Sequence, residues 1–308
     1  MAKQESSDSF NIIHYIVYLA VITLNGFFNL LPYRWVQSIG TLLGRAIYYL
    51  HIPRRKLTID NIRQAFGAEK NEKELCAIAR GSFENMAKVY LEVIRIPHML
   101  KDFTRYVTIE RDDITWKALQ NKNGVILLVS HYGNWELMAV MAGIIGYPIY
   151  AVARPFKNRY IYNRLLKNRE LTGLISLKNR GIAKEILGAL RANRVVAIVF
   201  DQYPGRTGIV VPFFGRDAYT TDAVAQLASR TGAAVIAPFI TRQPDGTHKI
   251  YVESPIELVN TGDPKSDCRA NTILFNQMLE KWISRHPDQW FWFHKRWKKP
   301  RFSAECKK

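Results

Sequence analysis

A histidine and an acid stand five residues apart in His131-Tyr-Gly-Asn-Trp-Glu136, directly after the apolar run Val125–Val129. Strand ends of open α/β folds collect catalytic groups, because the turn exposes side chains and the following helix offers free N–H groups. Tyr132-Gly133 can turn the chain, Asn134 can cap the helix, and Glu136 then returns toward the imidazole. A carboxylate holding one ring nitrogen leaves the other free to take a proton from a hydroxyl, so the expected chemistry is general-base acyl or phosphoryl transfer. His131 and Glu136 are the catalytic candidates. There is no Gly-x-Ser-x-Gly, and none of Cys76, Cys268 and Cys306 sits near a histidine in sequence, so direct attack by a substrate hydroxyl is simpler than a covalent enzyme intermediate.

The spacing alone is a weak signal. His248 and Glu253 repeat it inside an expected hairpin strand, where odd spacing sends the two side chains to opposite faces, and that copy reads as structural. The context of the first copy is what separates the two.

The elements that must position these residues follow from periodicity. Helical spacing covers residues 54–66 and 72–94, and β-rich runs at 125–129, 149–153, 195–200, 233–240 and 249–252 then alternate with helical runs at 135–145, 159–171, 182–192, 222–230 and 271–284. This is the pattern of an α/β fold, a sheet covered by helices. Residues 233–241 turn through Pro244-Asp-Gly246 into 248–253 as an antiparallel exception. The expected organisation is an N-terminal membrane-anchoring or interfacial helical region over residues 1–52 and one catalytic domain over 53–308.

From Ser9 to Tyr33 there is no Asp, Glu, Lys or Arg, about the length that crosses a hydrocarbon core. A membrane segment is the leading reading, and a helix lying flat in the interface is the alternative, since His14, Asn25 and Asn29 weaken the span. Arg34, Arg45, Arg54, Arg55 and Lys56 lie downstream and keep the body in the cytoplasm. Residues 35–52, interrupted by Arg45, read as a surface-hugging helix. The net charge of +18 suits a polyanionic partner: nucleic acid, an anionic membrane or a phosphorylated substrate. Three widely spaced cysteines match no zinc or redox spacing and read as reduced thiols, so neither a metal nor a cofactor is expected.

His131-Tyr-Gly-Asn-Trp-Glu136 resembles the HX4D/E motif of the lipid A late acyltransferases, the lauroyl/myristoyl transferase family within the lysophospholipid acyltransferase superfamily. Further blocks agree in order. Arg154-Pro155 resembles the family's strand-end Arg-Pro, Asp201-Gln202 and Val211-Pro-Phe-Phe-Gly215 its Asp-Gln and Phe-Phe-Gly blocks, and His286-Pro-Asp-Gln-Trp-Phe-Trp-Phe-His-Lys-Arg-Trp297 its C-terminal signature. The resemblance implies a central mixed sheet flanked by helices, similar to glycerolipid acyltransferases, with an N-terminal membrane helix. It implies transfer of a fatty acyl chain from an acyl carrier protein thioester to a hydroxyl of an anionic lipid A precursor, at the cytoplasmic face of the cell inner membrane. His131 would be the base and Glu136 would hold it, with N–H donors near Gly133 to Trp135 for the oxyanion. Arg154 would meet an acceptor phosphate. Asp201, Gln202 and Gly215 join it as substrate-binding candidates, although Asp201 and Gln202 equally suit a strand-end turn and Gly215 a backbone turn.

Glycerophospholipid and phosphatidylinositol mannoside acyltransferases share the His-x4-acid core and are rivals of the same chemistry. A membrane-tethered nucleic-acid-binding protein is the rival of another class. It is prompted by the charge and by the aromatic-basic residues 285–302, which suit base stacking, membrane docking or an aromatic core edge with a solvated basic tail, but the chain has no helix-turn-helix, zinc or RNP pattern, and nucleic acid is not the expected partner.

Overall fold

Every residue of Val125–Val129 is buried, which marks a strand covered on both faces, and this strand stands inside the main sheet. The structure, a computed structural model, describes residues 11–152, 157–177 and 182–298. Four helices come first: α1 (Ile12–Leu30), α2 (Tyr33–Leu50), α3 (Ile52–Phe66) and α4 (Glu72–Met99). Then follow β1 (Val107–Glu110), α5 (Asp113–Leu119), β2 (Val125–Val129), α6 (Trp135–Ile144), β3 (Ile149–Val152), α7 (Arg159–Glu170), β4 (Ile175–Leu177) and α8 (Ile182–Arg191). The last third holds β5 (Val195–Val199), β6 (Ile209–Phe213), β7 (Arg216–Thr220), α9 (Ala223–Thr231), β8 (Ala234–Ile236), β9 (Pro238–Arg242), β10 (His248–Val252) and α10 (Pro264–Arg285).

The five-stranded sheet has the order β4-β3-β5-β2-β8, and all its pairings are parallel. The fold is α/β, with the antiparallel pairing kept outside this sheet, in β9–β10 and in the hairpin β6–β7. The run read as one strand over 233–240 divides. Residues 234–236 pair with β2, and from Pro238, which has no N–H to donate, the chain pairs with β10 in the three-stranded sheet β1-β10-β9.

The helices hold the sheet through cap chemistry and close packing. Asn71 and Glu74 form a reciprocal capping box that starts α4. The buried face of α2 is Val36, Gly40, Gly44 and Tyr48, at a spacing of four. A Cβ on Gly44 would stand 2.4 Å from the Glu84 Cα, so the backbones of α2 and α4 meet directly. Asn61 of α3 donates to the carbonyls of Trp292 and His294, both at 2.7 Å, and ties the C-terminal segment to the helical layer.

Parallel pairing decides what meets at the sheet's upper edge. Val129 of β2 is the register partner of Val199 of β5, so His131 and Asp201 each stand two residues past a paired position, at the same end of neighbouring strands. Because β5 lies between β2 and β3, this edge is a switch point in strand order, the place where α/β sheets open a crevice.

Candidate active site

Asp201 holds His131 by two bonds. The ring Nδ1 lies 2.8 Å from Oδ1, and the backbone N–H of His131 donates to Oδ2 at 2.8 Å. Trp290 adds a third donor, its Nε1 reaching Oδ2 at 2.8 Å. Burial by itself would raise the Asp201 carboxyl, but the imidazole charge and these hydrogen bonds outweigh it and hold the carboxyl below its usual range. A carboxylate only accepts, so the ring proton sits on Nδ1 and the lone pair on Nε2. Gln202 fits that tautomer, with its Nε2 amide 3.3 Å from the ring Nε2. The side chain of His131 is 21% accessible and that of Asp201 1%, so the imidazole is open to its surroundings and its carboxylate partner is not.

The turn carrying His131 is fixed on both sides. Gly133 has φ +59°, and a Cβ there would lie 1.8 Å from the carbonyl oxygen of Ile240. Only glycine fits this turn. The Gly133 N–H donates to Gln289 O at 2.8 Å, so it is already engaged, while the N–H groups of Trp135 and Glu136 belong to the first turn of α6 and have no partner within their own helix. Asn134 caps α6, accepting from Leu137 N at 3.2 Å.

Glu136 stands elsewhere than expected. Its carboxylate takes a two-pronged bond from Arg169 of α7, Nη2 to Oε1 at 2.7 Å and Nε to Oε2 at 3.2 Å. The orienting contact assigned to Glu136 from its spacing is therefore made by Asp201. Glu136, in the first turn of α6, is engaged by α7 instead. Arg169 was not singled out in the sequence, since it is one of several cations on a polar helix.

Beside this edge lies an apolar cavity of about 70 Å³. Val129 and Val199, each two residues before the dyad, line it together with Met138, Ala197, Trp135 and Arg169. The Trp135 ring also packs edge-on against His131, 4.9 Å between centroids, so the cavity and the imidazole share a wall.

The other expected site residues fall as follows. Gln202 joins the dyad. Gly215, with φ +68°, follows Phe214 at φ +49° in the two-residue turn of β6–β7, which gives it a backbone role. Arg154 lies outside the described residues. Of the readings of the C-terminal aromatic residues, the core edge is the one seen: Trp290, Trp292 and Phe293 are buried, and Phe291 lies against His131 at 5.7 Å while its N–H donates to the His131 carbonyl. Arg296 is buried too, bonded to Tyr219 O at 2.6 Å and Thr220 Oγ1 at 2.7 Å.

These blocks, from the His131 turn to the signature that walls it, are what a family model for bacterial lipid A biosynthesis acyltransferases spans, matching residues 3–299. The chain belongs to that family. As a member of it, the protein is an acyltransferase. It is 26% identical to the lipid A biosynthesis lauroyltransferase of Escherichia coli strain K12 over 281 residues, 87% of each chain. It is 25% identical to that organism's lipid A biosynthesis palmitoleoyltransferase, over 87% of this chain and 86% of the relative. A phosphatidylinositol mannoside acyltransferase of Mycolicibacterium smegmatis is 27% identical over 71% of this chain and 72% of its own.

A second histidine beside the dyad sets an acid limit on the family member. Burial pushes the His294 imidazole down to about 4 from its ordinary 6.5, against the pull of Asp201. The unfolded chain takes up this proton near 6.5 and the folded one only near 4, so stability falls as pH falls through that window. The thermal unfolding midpoint is expected to drop by at least about 3 °C across it, and His294→Asn should flatten the slope. A midpoint that is level between neutral pH and the lower end of the window would rule this out.

Proposed function

We propose that the protein moves a fatty acyl chain from an acyl carrier protein thioester to a hydroxyl of a lipid A precursor or related anionic glycolipid, at the cytoplasmic face of the inner membrane. The observation that carries this is the His131–Asp201 dyad sharing the Trp135 wall with a cavity lined by hydrocarbon. His131 Nε2 takes the proton of the acceptor hydroxyl as its oxygen attacks the thioester carbonyl carbon. The tetrahedral intermediate collapses by breaking the C–S bond, and the imidazolium returns the proton to the leaving thiolate. Asp201 fixes the tautomer and stabilises the transient imidazolium. The first-turn N–H groups of α6 suit the oxyanion. Glu136 holds Arg169 in the cavity wall, where guanidinium donors not used on Glu136 can meet the acyl carbonyl or an acceptor phosphate.

The buried signature tryptophans support this reading over nucleic-acid binding, since Trp290 and Trp292 have no face to offer a base. The mycobacterial relative makes a phosphatidylinositol mannoside the second acceptor to test. Purified protein incubated with acyl carrier proteins bearing defined chains, and with each acceptor in turn, should yield one acylated glycolipid by mass. Turnover with coenzyme A donors alone would remove the carrier protein from the proposal. No transfer to any glycolipid would end it.

If the cavity holds the chain, its walls set the length. Ala197→Leu is expected to shift preference to donors about two carbons shorter and to cut kcat/KM for the best parent donor about tenfold. An unchanged product spectrum would place the acyl chain somewhere else.

A further inference from the structure

The first helix is long and apolar enough to cross a membrane, yet it is not free of the body at either end. Near its start, Asn158 of the segment leading into α7 donates to His14 O at 2.8 Å, and Tyr160 packs against Tyr15 and Tyr18 with centroids 5.3 and 5.8 Å away. Near its end, Phe28 is buried with Val36 and Leu91, and Arg95 Nη2 reaches Leu31 O at 3.4 Å. Between these ends, Tyr18, Val21, Ile22 and Asn25 continue one covered stripe at helical spacing. The opposite face is apolar and open, with Ile13 68%, Ile16 57%, Leu24 50% and Phe27 55% exposed.

These contacts constrain how the helix can meet lipid. Nineteen residues span about 28 Å, close to the full hydrocarbon thickness of about 30 Å. Standing upright, α1 would carry its His14 end to the far headgroup layer and draw the start of α7 with it. That helix bears Arg159, Arg164, Lys167 and Arg169, and its Arg169 is bonded to Glu136 at the site. Cations at membrane depth are costly. Lying flat, the same helix buries only its open face.

The second helix points the same way. Opposite its buried glycine face, α2 exposes Trp35 63%, Leu42 63% and Tyr49 58%, and Leu50 at its end is 81% exposed. Arg34 precedes this face, and Arg54 and Lys56 follow it at the start of α3, where headgroup phosphates would meet them. Arg54 also donates to Phe293 O at 2.7 Å, two residues from the Phe291 that packs on His131, so the face adjoins the catalytic edge.

We infer that the protein is monotopic: α1 and α2 lie together in the cytoplasmic leaflet of an anionic bilayer, with α1 along the catalytic body rather than across the membrane. The inference deepens the membrane-bound reading proposed above, and its test does not depend on catalysis.

The test uses the full chain with Cys76, Cys268 and Cys306 replaced by serine. With Ser7→Cys ahead of α1, a membrane-impermeant maleimide should leave intact spheroplasts unlabelled and react only after permeabilisation. Labelling of intact spheroplasts overturns the inference, because it places residue 7 across the bilayer. Nitroxides at Ile16→Cys and Leu24→Cys, in vesicles of phosphatidylethanolamine and phosphatidylglycerol, should report depths within about 5 Å of each other, against about 12 Å for an upright helix. A depth difference of the larger size overturns the inference, and so does a lack of lipid contact at both sites, which would assign the face to a second copy of the chain. The transfer assay on the parent reads the proposed function separately: a chain without transferase activity whose residue 7 stays protected keeps the topology and loses the function.

Discussion

His131→Ala is expected to lower kcat for acyl transfer about 10³-fold while leaving KM within a few-fold, since a positioned general base contributes roughly 10² to 10⁴. Asp201→Asn should approach the same loss for a different reason. The amide oxygen can keep the two hydrogen bonds now made to Oδ2, but its N–H₂ then faces Nδ1 and favours the tautomer with the proton on Nε2, which cannot take a second one from the acceptor. The decisive comparison is with Glu136→Gln. That change weakens the bond to Arg169 and leaves Nδ1 held, so its loss should be at least tenfold smaller than that of Asp201→Asn, given the general-base range. Steady-state rates with one carrier-bound donor separate the cases. If Asp201→Asn stays within threefold of the parent while Glu136→Gln is inactive, the imidazole is served by Glu136 in the working enzyme.

The same residues show how far a sequence can be read. Val125–Val129 is recovered to the residue because a strand buried on both faces is apolar without interruption. The glycine and asparagine after His131 announce a turn and a cap, and both are there. Spacing cannot tell which acid reaches the imidazole, because His131 and Asp201 are brought together by strand order: β3 and β4 intervene in the chain, yet β5 is the strand beside β2. Asp201 and Gln202 could be flagged only as polar residues ending an apolar run. Arg169 gave no signal at all, its neighbours being equally polar. The hairpin β6–β7 escaped because Phe214 and Gly215 make its turn, where Asn-Gly is the pair that announces such a turn. β1 and β4, four and three residues long, are too short for an alternation to register.

Glu92 carries the largest expected effect on stability. It is fully buried in α4 and receives Arg242 of β9 through both oxygens, one bond at 3.0 Å and one shorter contact. Tyr33 and Gln37 of α2 donate to the same carboxylate at 2.7 and 2.6 Å, and Asn134, the cap beside the catalytic turn, at 2.7 Å. Burial would raise this carboxyl, but the Arg242 charge and the hydrogen bonds from Arg242 and His248 hold it well below its ordinary range, while burial lowers His248 itself. The pair is therefore Glu92 negative against Arg242 positive in a dry interior. Removing one partner leaves the other charge unpaired, so Glu92→Gln should cost about 3–5 kcal/mol in denaturant unfolding in detergent. Glu92→Gln combined with Arg242→Gln should cost less than the two single changes summed, because neither charge is then stranded. Asn134→Ser, which keeps a cap oxygen and loses the link to Glu92, should cost little stability yet lower kcat, since the turn bearing His131 is anchored to the helical layer through that bond. A single-mutant cost under about 1 kcal/mol would mean that water reaches the Glu92 carboxylate and that the cluster is not the dry hinge between α2 and the catalytic turn.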